Sequence, residues 1–221
     1  MNIEEQVKQL LAGFGCDFGF AKVDDGPEGL PYAISIAVPL SDAVIDEIDG
    51  APTYTYFHHY RTVNAYIDRI LLQTGLLLQS KGYRYIPIAA SQSVPSSGER
   101  THMGRYSHKK AAVLAGLGSI GKNSLFLHPV HGPRVRLGTL FTDCLLTTTE
   151  PNLKTVCIDC DLCVKACPAG AIKGVPWRAG IARSEMFDAN ACNSYMRDHF
   201  MGIGRGSVCG ICIKVCPLNK K

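Results

Sequence analysis

Eight of the ten cysteines fall in the last third of the chain, in two sets that each close on Cys-Pro. The first set is Cys157, Cys160, Cys163 and Cys167, followed by Pro168. This is C-x2-C-x2-C-x3-C-P, the run that wraps a four-iron cluster in bacterial ferredoxins. The second set, Cys192, Cys209, Cys212 and Cys216 before Pro217, is the same run with its first gap stretched. In such pairs the fourth cysteine of each run serves the other cluster. The expected ligand sets are therefore Cys157, Cys160, Cys163 and Cys216 for one cluster, and Cys167, Cys192, Cys209 and Cys212 for the other. Paired C-x2-C units also bind structural zinc, but two C-x3-C-P endings favour two [4Fe-4S] clusters. Cys16 and Cys144 stand apart and read as packed thiols.

A small ferredoxin needs only this region, so the preceding two-thirds of the chain calls for an explanation. No apolar run of 18 residues occurs, which argues against a membrane span. The start, MNIEEQVKQLL, is acidic and amphipathic, unlike a signal peptide. The expectation is a cytoplasmic protein whose cysteines bind metal instead of pairing as disulfides. The formal net charge is +4. Two oxidised clusters with their thiolates, about −2 each, would cancel it, which argues against a nucleic-acid partner.

Hydrophobic periodicity places helices at the N-terminus, at SDAVIDEI, over 54–80 and at HKKAAVLA. Asn2 with Glu5, Ser41 and Ser107 are their expected caps. DFGFAKV, YAISIAV, YRYIPIAA and GPRVRLGTLFTD read as strands, YRYIPIAA as a buried one. A short helix is expected at Ala171 and Ile172, after Pro168. The TTTEPNLKT segment marks a boundary, giving domains 1–149 and 150–221 in an α+β chain.

GLGSIG (116–121) matches the dinucleotide pattern, and with Lys122 it falls one residue short of a phosphate-binding loop. The context is wrong for both, because a helix precedes and the strand-like NSLFL follows. His58 and His59, adjacent on one helix, point in different directions and cannot chelate one metal from one face. The remaining histidines read as ordinary surface or core residues.

CGICIKVCPLN, AGLGSIGKN, GPRVRLGTLFTD and DFGFAKV together resemble epoxyqueuosine reductase and, more distantly, reductive dehalogenases. The resemblance implies a nitroreductase-like α/β sandwich domain that holds cobalamin, followed by a two-cluster bacterial ferredoxin-like domain that feeds it electrons. A corrin would lie near Gly118, Gly121, Lys122 and Asn123, with no protein histidine on cobalt. Tyr56, Tyr60 and Arg61, and the loop residues Ser91 and Ser93, are the candidate proton donors or anion anchors. The tyrosines read equally well as helix-face packing. The family places an Asp donor before a Glu-Arg pair. Glu99-Arg100 is present, but the SQSVPSSG loop before it has no acid, and Ser119 stands where the family writes Trp. With the chain ending at Lys221, without the helical repeats that help larger members hold tRNA, the expectation is a small-molecule substrate. The implied donor is ferredoxin or flavodoxin. The alternative is an electron-transfer or corrinoid-handling module serving a redox partner protein, and a flavin is a third candidate for the upstream cofactor.

Overall fold

The computed structural model describes residues 1–95, 102–151 and 153–219. Glu99-Arg100, and the end of the SQSVPSSG loop before it, lie outside these residues. In chain order the elements are α1 (Ile3–Ala12), β1 (Asp17–Lys22), β2 (Tyr32–Pro39), α2 (Asp42–Asp46), α3 (Tyr54–Ser80), β3 (Tyr85–Ile88) and α4 (His108–Leu114). They continue with β4 (Ser119–Ile120), β5 (Phe126–Leu127), β6 (Val135–Thr142), α5 (Leu162–Ala166), α6 (Arg183–Met186), α7 (Ala189–Phe200) and α8 (Ile211–Lys214). Among the described residues no helix is long and apolar enough to cross a membrane.

The helix starts follow the capping chemistry expected of them. Asn2 Oδ1 accepts from the Glu5 N–H at 2.8 Å, and the Glu5 carboxylate accepts from the Asn2 N–H at 2.9 Å, a reciprocal capping box. The side chains of Ser41 and Ser107 accept N–H groups at the starts of α2 and α4.

The residues group into two compact units that do not follow a single cut at 149/150. One unit gathers Met1–Val38, Val63–Leu117 and Arg136–Asn152. The other gathers Pro39–Thr62, Gly118–Val135 and Leu153–Lys221. The physical reason is pairing at long range. The α2 helix packs on α8, Tyr54 Oη donates to the Gly202 carbonyl at 3.2 Å, and the β4–β5 hairpin is bonded to Thr155 and Val156. Two segments of the upstream sequence therefore belong with the cysteine region.

The first unit is built on a four-stranded sheet in the order β1-β2-β6-β3. β1 runs antiparallel to β2, with Phe20 opposite Ile34, and β3 antiparallel to β6, with Ile88 opposite Thr139. β2 and β6 are central and almost wholly buried. YRYIPIAA is an edge strand and not a buried one: only Ile88 of β3 is buried. Pro87, which has no N–H to donate, is tolerated at an edge and rare in a central strand. Ala21, Val23, Leu30, Ala33, Ile88, Ala115 and Phe141 form one buried cluster. On α3, Ile67, Ile70, Leu71 and Leu78 are fully buried, each contributing roughly 1.5–3 kcal/mol of apolar burial. The helix approaches the sheet closely at Gly138. A Cβ there would lie 2.5 Å from Ile67 Cγ2 and 3.0 Å from Ile36 Cγ1.

Candidate metal centre

The two cysteine motifs fold alike. In each, the residue after the second cysteine is left-handed: Asp161 with φ 50° and Gly210 with φ 81°. Each then starts a short helix, α5 or α8, which carries the third cysteine. Glycine takes this conformation without strain, and Asp is among the few other residues that tolerate it. A Cβ on Gly210 would also lie 2.5 Å from Ile48 Cδ1 and 2.9 Å from the Tyr56 ring. α5 and α8 pack together, which brings the two motifs face to face. The helix expected at Ala171 and Ile172 is absent. Gly170, with φ 57°, turns the chain, and Ile172 forms a lone antiparallel bridge to Phe187. α7, capped by Asp188 at 2.9 Å, fills part of the stretched gap and carries Cys192 in its first turn.

None of the ten cysteines is paired in a disulfide. Cys157, Cys160, Cys163 and Cys216 line one small hollow together with Asn123, Leu127, Ile158, Pro217 and Leu218. Burial pushes the Cys163 thiol up to about 11, and the neighbouring Cys157, Cys216 and Cys160 push the same way. Cys167, Cys192, Cys209 and Cys212 form the second group. Burial lifts Cys192 to about 11, with Cys209 and Cys167 adding to it. Cys212 is lifted well above the thiol range by burial and by Cys209, Cys192 and Cys167. Three backbone N–H groups oppose this trend: that of Val164 on Cys163, that of Ile211 on Cys209 and that of Leu218 on Cys216. Four thiols in a low-dielectric hollow are costly to ionise alone, and a bound cation reverses that balance. The donor sets thus fit soft, thiolate-bound metal, and loading it would release protons.

The β4–β5 hairpin braces the first cysteine loop. The Ser119 hydroxyl accepts from the Val156 N–H at 3.1 Å, and Thr155 Oγ1 donates to the Ile120 carbonyl at 2.9 Å. Lys122 Nζ donates to Asp161 Oδ1 at 2.8 Å and also to Asp159. The two carboxylates, Asp159 first, hold the ammonium above its ordinary range. The glycines have a packing reason of their own. A Cβ on Gly118 would lie 2.3 Å from the Leu127 carbonyl oxygen, and one on Gly121 2.7 Å from Leu127 Cδ1. Asn123 Oδ1 accepts from the Leu125 N–H at 3.1 Å. The four hairpin positions expected near a corrin are therefore engaged with the cysteine loop and with each other. GLGSIG has α4 before it and strand after it, as read from the sequence.

The other candidate residues divide between the units. Tyr56 is buried and packs against Gly210. Tyr60 lies 6.3 Å from it, ring to ring, and the Arg61 guanidinium covers the Phe57 ring at 5.4 Å. Ser91 and Ser93 are exposed in the first unit. Sequence reasoning missed Arg134, which is buried and paired with Asp42 and Asp46. The signal for it was a charge immediately before β6.

Residues 156–219 match the 4Fe-4S double cluster binding domain. The epoxyqueuosine reductase of Cyclobacterium marinum is 36% identical over 119 residues, covering 49% of this chain and 36% of that protein. The tetrachloroethene reductive dehalogenase of Dehalobacter restrictus is 32% identical over 124 residues, covering 49% of this chain and 21% of that protein. The chain thus spans about a third or less of the length of these relatives. A solved reductive dehalogenase, described as suggesting a mechanism for B12-dependent dehalogenation, matches 98% of this chain and 32% of its own, with a TM-score of 0.74 and 19% identity. Epoxyqueuosine reductase with an epoxyqueuosine-modified tRNA stem loop matches 99% of this chain and 66% of its own, with a TM-score of 0.62 and 20% identity. The fold is the mixed helix-and-sheet fold of these reductases, with a double-cluster region.

Proposed function

We propose that this chain is an iron–sulfur oxidoreductase that passes electrons through two [4Fe-4S] clusters to a cofactor, cobalamin, held by residues before 150 in a nitroreductase-like sandwich. The observation that carries the reading is the grouping of the eight cysteines, with Cys216 beside Cys157, Cys160 and Cys163 although 53 residues separate it from Cys163. Two four-thiol groups whose loops lead into adjoining short helices make an electron relay, and a relay needs an acceptor.

Cobalamin enters from the B12-dependent dehalogenase whose fold this chain shares. When bound, it supplies a low-potential cobalt centre for two-electron reductions. Gly118, Gly121, Lys122 and Asn123, the positions proposed to lie near it, also make contacts of their own with the cysteine loop and within the hairpin. That engagement supports a second reading, an electron-transfer or corrinoid-handling module for a partner protein. A flavin is the other acceptor to exclude. The donor is a low-potential carrier such as ferredoxin or flavodoxin, and the substrate is a small molecule. The relative solved with a tRNA stem loop makes epoxyqueuosine-containing tRNA the first alternative substrate to try.

The test is a cofactor inventory of anaerobically purified protein, followed by titration with cobalamin and with flavin mononucleotide. A base-off cobalamin spectrum at micromolar ligand supports the enzyme reading. Clusters with no binding of either cofactor would move the module reading to first place.

A further inference from the structure

The stretched gap of the second cysteine run contains three consecutive left-handed residues: Gly204 at φ 66°, Arg205 at 55° and Gly206 at 63°. Arginine enters this region only under strain, which the surrounding packing must hold. Both flanks of the turn are packed. A Cβ on Gly204 would lie 2.6 Å from Phe57 Cδ2, and one on Gly206 2.7 Å from Arg197 Cα. The Tyr54 hydroxyl ties the preceding residues down through its bond to the Gly202 carbonyl. The turn is thus wedged between the start of α3 and the end of α7, with Arg205 exposed at its tip.

The same contacts gather charge. The Arg61 guanidinium covers the Phe57 ring that meets Gly204. Arg61, Arg197 and Arg205 therefore surround one turn, and all three are exposed. None of them forms a salt bridge among the described residues. Asp198, also exposed, is the acid beside them in sequence. Tyr54, 63% exposed, and Met201, 50% exposed, add apolar surface. Tyr, Met and Arg are the residues enriched where proteins meet, and a surface of this sign favours a negatively charged partner. The chain itself sets the distance to the second cysteine group. Cys192 precedes Arg197 by five residues on α7, about 7.5 Å along the helix axis. Cys209 follows Gly206 by three residues, at most about 11 Å of extended chain.

We propose that Arg61, Arg197 and Arg205 form the docking surface for an acidic electron-carrier protein, whose electron enters at the cluster of Cys167, Cys192, Cys209 and Cys212. The proposal rests on the two-cluster reading and names the partner of that relay. One electron passes in each encounter: the carrier's reduced centre is oxidised and this cluster is reduced, with no bond made or broken. Electron transfer weakens steeply with distance, so a carrier seated on this patch reaches the second cluster directly. RNA phosphates also attract arginine, but the short path to a redox centre behind the patch favours a carrier.

The experiment is anaerobic stopped-flow reduction of the reconstituted full chain by flavodoxin hydroquinone, an acidic one-electron carrier, followed by the appearance of its semiquinone. Photoreduced 5-deazariboflavin serves as a small uncharged donor for comparison. Wild-type iron near eight per chain reports on the two-cluster reading itself. The flavodoxin rate falls as salt rises from about 50 to about 300 mM. In the double variant Arg197→Gln, Arg205→Gly it falls about tenfold at low salt, within the range of electrostatic steering. Iron content and the deazariboflavin rate stay at wild-type values. Arg205→Gly suits the left-handed backbone, so this single variant keeps the turn and gives a smaller fall even where Arg197→Gln fails to fold. Arg197→Lys retains most of the wild-type rate. Cys216→Ser, which keeps the second cluster, still accepts electrons from flavodoxin. With iron near eight, no reduction by flavodoxin, a rate insensitive to salt, or a rate unchanged in these arginine variants would overturn the proposal. Loss of flavodoxin reduction in Cys216→Ser would do the same. So would binding of a tRNA stem loop that Arg205→Gly weakens while the flavodoxin rate holds. Iron far below eight would sink the two-cluster reading, and the proposal with it.

Discussion

Lys122 Nζ lies 2.8 Å from Asp161 Oδ1, across 39 residues of sequence, and also bonds Asp159. The ammonium belongs to the β4–β5 hairpin, and both carboxylates flank Cys160. Replacing Lys122 by Ala leaves two negative charges facing four would-be thiolates, which like charges disfavour. We expect Lys122→Ala to lose about half of its eight irons to a chelator under conditions that leave the wild type intact. Iron analysis with the spectrum of each cluster checks this, and equal retention by the two proteins would count against it.

The grouping of the cysteines makes an unequal prediction for neighbours in sequence. Cys163 and Cys167 are four residues apart but belong to different groups. Cys216→Ser should damage the cluster of Cys157, Cys160 and Cys163, and Cys167→Ser the cluster of Cys192, Cys209 and Cys212. Each variant retains roughly four irons of eight. Zinc in place of iron in protein from a metal-replete host would sink the assignment.

Gly138 lets α3 lie against the sheet. A methyl group there meets Ile67 and Ile36 at distances that require movement of both. Overpacking of this kind costs about 1–3 kcal/mol. Gly138→Ala should therefore melt roughly 2–12 °C lower, at 2–4 °C per kcal/mol for a chain of this size. Ile67→Val in the same chain should recover part of the loss. A Gly138→Ala melt equal to wild type would show that α3 shifts freely.

His108 is held neutral. Its Nε2–H donates to the Ala89 carbonyl at 3.0 Å, and its Nδ1 accepts from Thr139 Oγ1 at 2.9 Å. Burial draws its pKa below the ordinary 6.5, and His59, whose Nε2 accepts from the Ser41 N–H at 3.0 Å, is drawn down for the same reason. In the unfolded chain both take up protons first as pH falls. Stability from their neutral forms is complete above about 6.5 and is lost as pH drops toward the folded values. His108→Gln should flatten this part of the profile. Melting temperatures across about pH 5 to 8 check it, and identical slopes in the two proteins would refute it.

What was legible in the sequence is what depends on near neighbours. Capping at Asn2, Ser41 and Ser107, the extent of α3, and the strands of the sheet follow from periodicity and local hydrogen bonding, which act over a few residues. The grouping of the cysteines followed from spacing as well, since a short loop around one metal centre leaves few arrangements. The tertiary structure decided the rest. It made β3 an edge strand, turned the expected helix at Ala171 into a bridge to Phe187, and joined 39–62 and 118–135 to the cysteine region. It also paired Lys122 with Asp159 and Asp161, and Arg134 with Asp42 and Asp46. Those pairings bring together charges 37 to 92 residues apart. No local pattern encodes them, because the partner of a buried charge is set by which distant segment packs against it.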